Sequence, residues 1–169
     1  CNILEEFKKM FKKIMENPEL FSQKRLKIKE KIIILEKKDL NKSDKEIEKI
    51  INEYDYVSFS DGNSLALNYK DYLQSYSLKK TKKEISCCDY YVYDDVLGNY
   101  LTTNVYKASH NLKKEQFDQA ITINQIAVTK EYFTKNLNKF KSFFEGKIID
   151  IINKKNTCFI SIPLVRIKK

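Results

Sequence analysis

From Phe133 onward, Leu137, Phe140, Phe144, Ile148 and Ile151 recur at steps of three or four residues, the spacing that lays side chains along one side of a helix. This stripe is the strongest constraint on the fold, because a helix with one apolar side has to bury it against another layer. The surrounding stretch, residues 121–167, reads as strand, helix and strand. Thr129 is placed as N-cap, with Glu131 in the first turn where the helix dipole favours an anion. Lys135 and Lys139 fall on the far side, and Glu131 with Lys135 makes a favourable i,i+4 pair. Gly146 leaves two geometries open, since glycine is costly inside a helix and common just past its end. In the preferred one the helix runs to about Asn153. In the other it stops at Glu145, and 147–152 pairs with 157–162 across a turn at 153–156.

The rest of the chain supplies the other layer. Ile3, Phe7, Met10 and Ile14 form an apolar stripe for a first helix. Asn17-Pro18-Glu19 restarts a second, expected to reach about Lys38, although Ile32 to Leu35 is a continuous apolar run that leaves a strand open there. Ser43-Asp44-Lys45-Glu46 is a capping box opening a third, to about Tyr54. Tyr56 to Ser60, Asp61-Gly62-Asn63 and Ser64 to Tyr69 then read as a hairpin. Lys70 to Gln74 reads as a short helical turn, and Lys79, Lys80, Lys82 and Lys83 as a basic loop. Ile85 to Tyr93, Tyr100 to Lys107 and Ala120 to Val128 read as strands.

The fold expected is therefore α+β: an N-terminal three-helix layer packed with a mostly antiparallel sheet and one long C-terminal helix. With 169 residues and no Gly/Ser- or Pro-rich linker, a single domain 1–169 is expected, helical over 1–54 and sheet plus helix over 55–169. Three helices before a hairpin resembles the order of a winged-helix domain, a minor alternative for the fold. As a DNA reader it has the wrong sign, since Asp44, Glu46, Glu48 and Glu53 on the third helix would meet phosphate.

Charge carries the functional expectation. The net charge is +9, with residues 111–169 at +7 and residues 41–75 at −3. Only Arg25 and Arg166 are arginine, and a chain rich in Lys, Asn, Ile and Tyr without Trp carries the codon signature of an AT-rich genome. The lysine excess is thus either a solvated coat or a surface for a polyanion. The leading reading is a small non-enzymatic binding module with no cofactor, engaging nucleic acid or a nucleoprotein through Lys135, Lys139, Lys141, Lys154 and Lys155, with Lys79, Lys80, Lys82 and Lys83, the basic run beside the tyrosine-rich strands, as further contacts. The scarcity of arginine counts against bidentate base reading.

Competing readings are each tied to residues. A protein-protein accessory or inhibitory factor of a phage or mobile element, acting on a host protein, fits the small size and composition. Tyr90, Tyr91, Tyr93, Tyr100 and Tyr106 crowd one strand pair and would stack bases if they shared an open sheet face; tyrosine is also simply a good strand former. Asp89, Asp94, Asp95 and the Glu145-Gly146-Lys147 triplet are the candidates for a metal-dependent nuclease, with no metal site committed to because the pattern is too short to be specific. His110, the sole histidine, could pair only with Cys87 or Cys88 for thiol chemistry. Cys1, Cys87, Cys88 and Cys158 form no disulfide or zinc framework, which points to a cytoplasmic chain with reduced thiols. Cys1 at the start leaves initiator-Met removal, a fragment boundary or a lipid-anchored surface lipoprotein with Cys1 acylated as readings. No apolar run is long enough for a transmembrane segment.

Overall fold

The computed structural model describes residues 30–67, 69–94, 96, 98–101, 121–142, 144 and 151–168, together with Glu5, Lys9 and Lys12. In order the elements are β1 (Ile32–Leu35), α1 (Lys37–Leu40), α2 (Asp44–Ile51), β2 (Tyr56–Phe59), β3 (Ser64–Ala66), α3 (Lys70–Thr81), β4 (Ile85–Asp94), β5 (Gly98–Leu101), a 3-10 turn (Ile123–Gln125), β6 (Ile126–Thr129), α4 (Lys130–Lys135), α5 (Leu137–Lys141) and β7 (Thr157–Lys168). Six strands run in the order β1-β2-β6-β4-β7-β3. β5 extends the edge of β4 beyond the point where β6 ends. The sheet is mixed: β1 is parallel to β2 and β4 to β7, and the other pairings are antiparallel.

Period-two alternation sorts side chains onto two faces. On one, Leu35, Val57, Phe59, Ile85, Cys87, Ile126 and Val128 pack with Leu40, Ile47 and Ile51 from α1 and α2, and with Phe133, Leu137 and Phe140 from α4 and α5. Phe59 stacks on Phe140 with ring centroids 5.4 Å apart, and Phe133 tilts against Phe140 at 5.1 Å. Three such aromatics, each essentially buried, anchor the helix pair on the sheet. The opposite face holds α3, where Leu67, Leu73, Cys88, Tyr91, Ile160, Ile162, Leu164 and Val165 form a second cluster.

This architecture corrects the expected one in three places. The three-helix layer is not formed: Ile32 to Leu35 is a strand, because three β-branched residues in a row suit a sheet edge better than a helix interior. Residues 1–29 otherwise lie outside the description, apart from Glu5, Lys9 and Lys12, which are helical. The long C-terminal helix is also absent. It breaks at Asn136, whose side-chain amide donates to Tyr132 O at 2.9 Å and competes with the helical pattern, and α5 ends at Ser142. Ile151 and Ile152 are buried but not helical, and not strand either, so the alternative hairpin with 157–162 does not form over them. Gly146 lies outside the described residues.

The hairpin at 56–69 is the third correction. β2 and β3 are both strands, but they do not pair with each other: β2 sits between β1 and β6, whereas β3 pairs with β7. Alternation identifies a strand without identifying its neighbour. The connection is held away by Asn124 Oδ1, which accepts from Asp61 N at 2.9 Å, and turns at Gly62 with φ +84°. Without that hairpin there is no wing.

Candidate functional site

α3 is unusual among the helices because its buried side is polar. Lys70, Gln74, Ser75 and Ser77 are all buried alongside Leu73 and Leu78. Lys70 Nζ donates to Ser58 Oγ on β2 at 2.9 Å. Gln74 Nε2 donates to Gln125 O at 2.9 Å and to Ser86 O at 3.4 Å, and Ser77 Oγ lies 3.3 Å from Ser86 Oγ. Gln125 continues the network, donating to Cys88 O at 2.6 Å and accepting from Thr122 N at 2.6 Å. These bonds hold α3 in register across β2, β4 and β6. The cluster is closed to solvent, with Lys70 3% and Gln74 1% exposed, so it organises the interior and offers no entry for a substrate.

The same burial disposes of the thiol reading. Desolvation pushes Cys88 up to about 12, with the Lys70 charge opposing the rise and the Asp89 charge adding to it. Desolvation raises Cys87 well above the usual thiol range too. Neither is a thiolate at neutral pH, which a nucleophile requires. His110 lies outside the described residues. Of the nuclease candidates, Asp89 is buried opposite Pro163, at a point where the β4–β7 register shifts, and Asp94 accepts from Val96 N at 2.7 Å in the β4–β5 turn. Asp95, Glu145 and Lys147 fall outside the described residues.

The lysines expected to form one surface differ in what surrounds them. Lys135 and Lys139 line a shallow groove shared with Asp44 and Glu48 of α2. Lys141 is ion-paired with Asp44. The acidic α2 therefore faces this basic trio and offsets it.

In the basic run that ends α3, Lys83 is the residue that meets the 153–156 turn. Lys79 and Lys80 do not lie in a loop but in the last turn of α3, and Lys82 is its C-cap in the left-handed conformation, φ 58°. Lys83 Nζ then reaches the 153–156 turn, donating to Lys155 O at 2.7 Å and to Lys154 O at 3.4 Å. That turn is internally satisfied. Asn153 Oδ1 accepts from the amides of Lys155 and Asn156, each at 2.9 Å, while Asn156 Oδ1 accepts from Asn153 N at 3.0 Å. From α4, Tyr132 Oη donates to Ile151 O at 3.3 Å, and Asn156 Nδ2 donates to the same carbonyl at 2.9 Å. Lys154 and Lys155 are thus carried, exposed, on a turn with fixed geometry.

Local charge is not uniform at this pole. Lys79 pairs with Glu30 at 3.0 Å; the hydrogen bond raises the lysine and holds the glutamate below its usual range. Lys80, Lys82, Lys154 and Lys155 remain exposed. Of the strand tyrosines whose side chains are described, Tyr91 is buried, Tyr90 packs against the same cluster, and Arg166 sits 5.1 Å from the Tyr93 ring centroid, so these three do not form an open sheet face. Tyr106 lies outside the described residues. Tyr72 and Tyr76, which no sequence motif singled out, are half-buried on α3 and stack with centroids 6.0 Å apart and planes 11° from parallel, Tyr72 also packing against the second core cluster. Their i,i+4 spacing was the available signal, but it needed a helix extending past Gln74.

Comparison with protein-family models finds no match, and comparison with curated proteins finds none either. Among the described residues no helix is long and apolar enough to cross a membrane.

Proposed function

We propose that the protein is a non-enzymatic binding module that engages a polyanion, nucleic acid or a nucleoprotein, through the pole where α3 ends against the 153–156 turn. The observation that carries this reading is the pair of hydrogen bonds from Lys83 to the carbonyls of Lys155 and Lys154. They use one ammonium to fasten two lysine-bearing segments 71 residues apart in sequence, which supports reading Lys80, Lys82, Lys154 and Lys155 as one binding rim. A solvated coat needs no such fastening. Preorganised cations lose less entropy on meeting phosphate than cations on loose loops.

Lysine without arginine supplies point charges and not planar forks, so binding is read as electrostatic and indifferent to base sequence. Lys135, Lys139 and Lys141 contribute less because Asp44 and Glu48 face them. The test is a titration of a labelled nucleic acid at two salt concentrations. Association that weakens steeply with salt supports the reading, and no association at low salt removes it.

A further inference from the structure

The tyrosine pair on α3 leads into the basic pole, and the two features together specify more than negative charge. Tyr72, Tyr76 and Lys80 follow one another at i, i+4 and i+8, so they share one line along the helix, with exposed Lys79 beside it. The Lys80 ammonium lies 5.6 Å from the centroid of the Tyr76 ring, a loose cation–π contact. Beyond it come Lys82, then Lys83 and the turn that presents Lys154 and Lys155. The helix length from Tyr72 to Lys82 is on the order of 15 Å. An aromatic stack that runs into a row of ammonium groups is complementary to a chain that alternates flat rings with phosphates.

We infer that this line is a track for single-stranded nucleic acid, in which an unpaired base stacks on the Tyr76 ring, backed by Tyr72, and the following phosphates meet Lys80, Lys82, Lys154 and Lys155. The inference rests on the polyanion reading above and adds the class of ligand. Duplex DNA keeps its base faces inside the helix and can offer this line only phosphate, whereas an unpaired base has a free ring face. Lys80 is the moving part. A base arriving on Tyr76 takes the ring face that the ammonium covers loosely, and the ammonium transfers to the adjacent phosphate. No bond is made or broken. Both tyrosines are half-buried; Tyr72 packs against the second core cluster and backs Tyr76, whose ring takes the Lys80 ammonium.

The experiment uses the full chain and fluorescence anisotropy with four probes at one low salt concentration: a labelled oligothymidylate, its ribonucleotide counterpart, a duplex, and an abasic DNA strand of the same length. Both base-bearing single strands are expected to bind about 10-fold more tightly than the abasic strand. A preference between them identifies DNA or RNA as the favoured source. Tyr76→Ala should remove that advantage and Tyr76→Phe should keep it, with far-UV circular dichroism checking that each variant is folded. Equal affinity for the base-bearing and abasic strands overturns the stacking track and leaves the polyanion reading standing on its salt dependence. No binding of any probe overturns both.

Discussion

The ammonium of Lys70, 3% exposed in the first turn of α3, donates to the hydroxyl of Ser58 on β2 at 2.9 Å. A lysine this deeply buried is held only if its charge is answered. Lys70 and Asp89 act on the Cys88 thiol in opposite senses, so a cation and a buried carboxylate share this part of the interior. Lys70→Met keeps most of the stem, removes the charge and leaves Asp89 buried, which should cost about 3 kcal/mol. Ser58→Ala removes a single acceptor and should cost about 2 kcal/mol. Urea unfolding of the two variants checks the order. If Lys70→Met were as stable as the parent, the charge would have no part in seating α3.

Gln125 is the point where three segments meet. It is fully buried, its amide donates to Cys88 O, and its carbonyl oxygen receives the Thr122 amide. Gln125→Leu preserves approximate volume but strands one donor and one acceptor away from water. The expected loss is about 2–4 kcal/mol, measured by denaturant midpoint with an unchanged slope. Gln125→Glu should be no better, because a carboxylate can accept from Thr122 but cannot donate to Cys88.

What could be read from the sequence depended on whether the signal was local. Ser43 is the N-cap expected for α2, its Oγ accepting from Glu46 N at 3.3 Å, while the Glu46 carboxylate accepts from the Ser43 hydroxyl at 3.1 Å in place of the backbone amide a capping box calls for. Thr129 caps α4 through Tyr132 N, and β4 covers the run expected for it. These features depend on residues within a few positions of one another. Strand partners do not, and β2 and β3 were paired wrongly because nothing in either strand encodes Asn124 holding Asp61. α3 is read as only a short turn, Lys70 to Gln74, for a different reason: Lys70, Gln74, Ser75 and Ser77 share its buried side with Leu73 and Leu78, so no apolar period marks its full length. The lysines of the candidate site were legible as residues. Their division into an offset trio and a fastened pole was not, since it depends on where α2 lies and where the Lys83 side chain ends.

Alkaline pH should weaken the fold through the buried thiols. Cys88 titrates at about 12 in the folded protein, against an ordinary thiol value of 9.0, and Cys87 is displaced in the same direction, both chiefly by desolvation. Between those limits the unfolded chain loses thiol protons that the folded chain retains, so stability falls as pH rises. Below pH 9 the contribution is fully present. Each fully displaced thiol should add a slope of about 1.4 kcal/mol per pH unit. Denaturant unfolding from pH 8 to pH 11 should therefore steepen in decline above pH 9, and a Cys87→Ala, Cys88→Ala variant should decline less. The same burial predicts that alkylation at pH 8 reaches Cys158, which is only partly covered, before the peptide holding Cys87 and Cys88.

The two lysine groups should separate in a salt titration. Lys154 and Lys155 sit exposed on the fastened turn, whereas Lys135 and Lys139 share their groove with Asp44 and Glu48. Each lysine that displaces counterions from a nucleic acid adds about 1 to the slope of log affinity against log salt. Lys154→Ala with Lys155→Ala should thus lower that slope by about 2 and weaken binding most at low salt. Lys135→Ala with Lys139→Ala removes the same formal charge but should change the slope by well under 1. Equal effects from the two pairs would mean that net charge, and not its placement, governs association. A third variant decides how much the placement depends on rigidity. Asn153→Ala leaves every lysine in the chain but removes the oxygen that accepts from the Lys155 and Asn156 amides, freeing the turn. It should keep the salt slope of the parent and still bind several-fold more weakly, because the cost of ordering the turn is then met at binding.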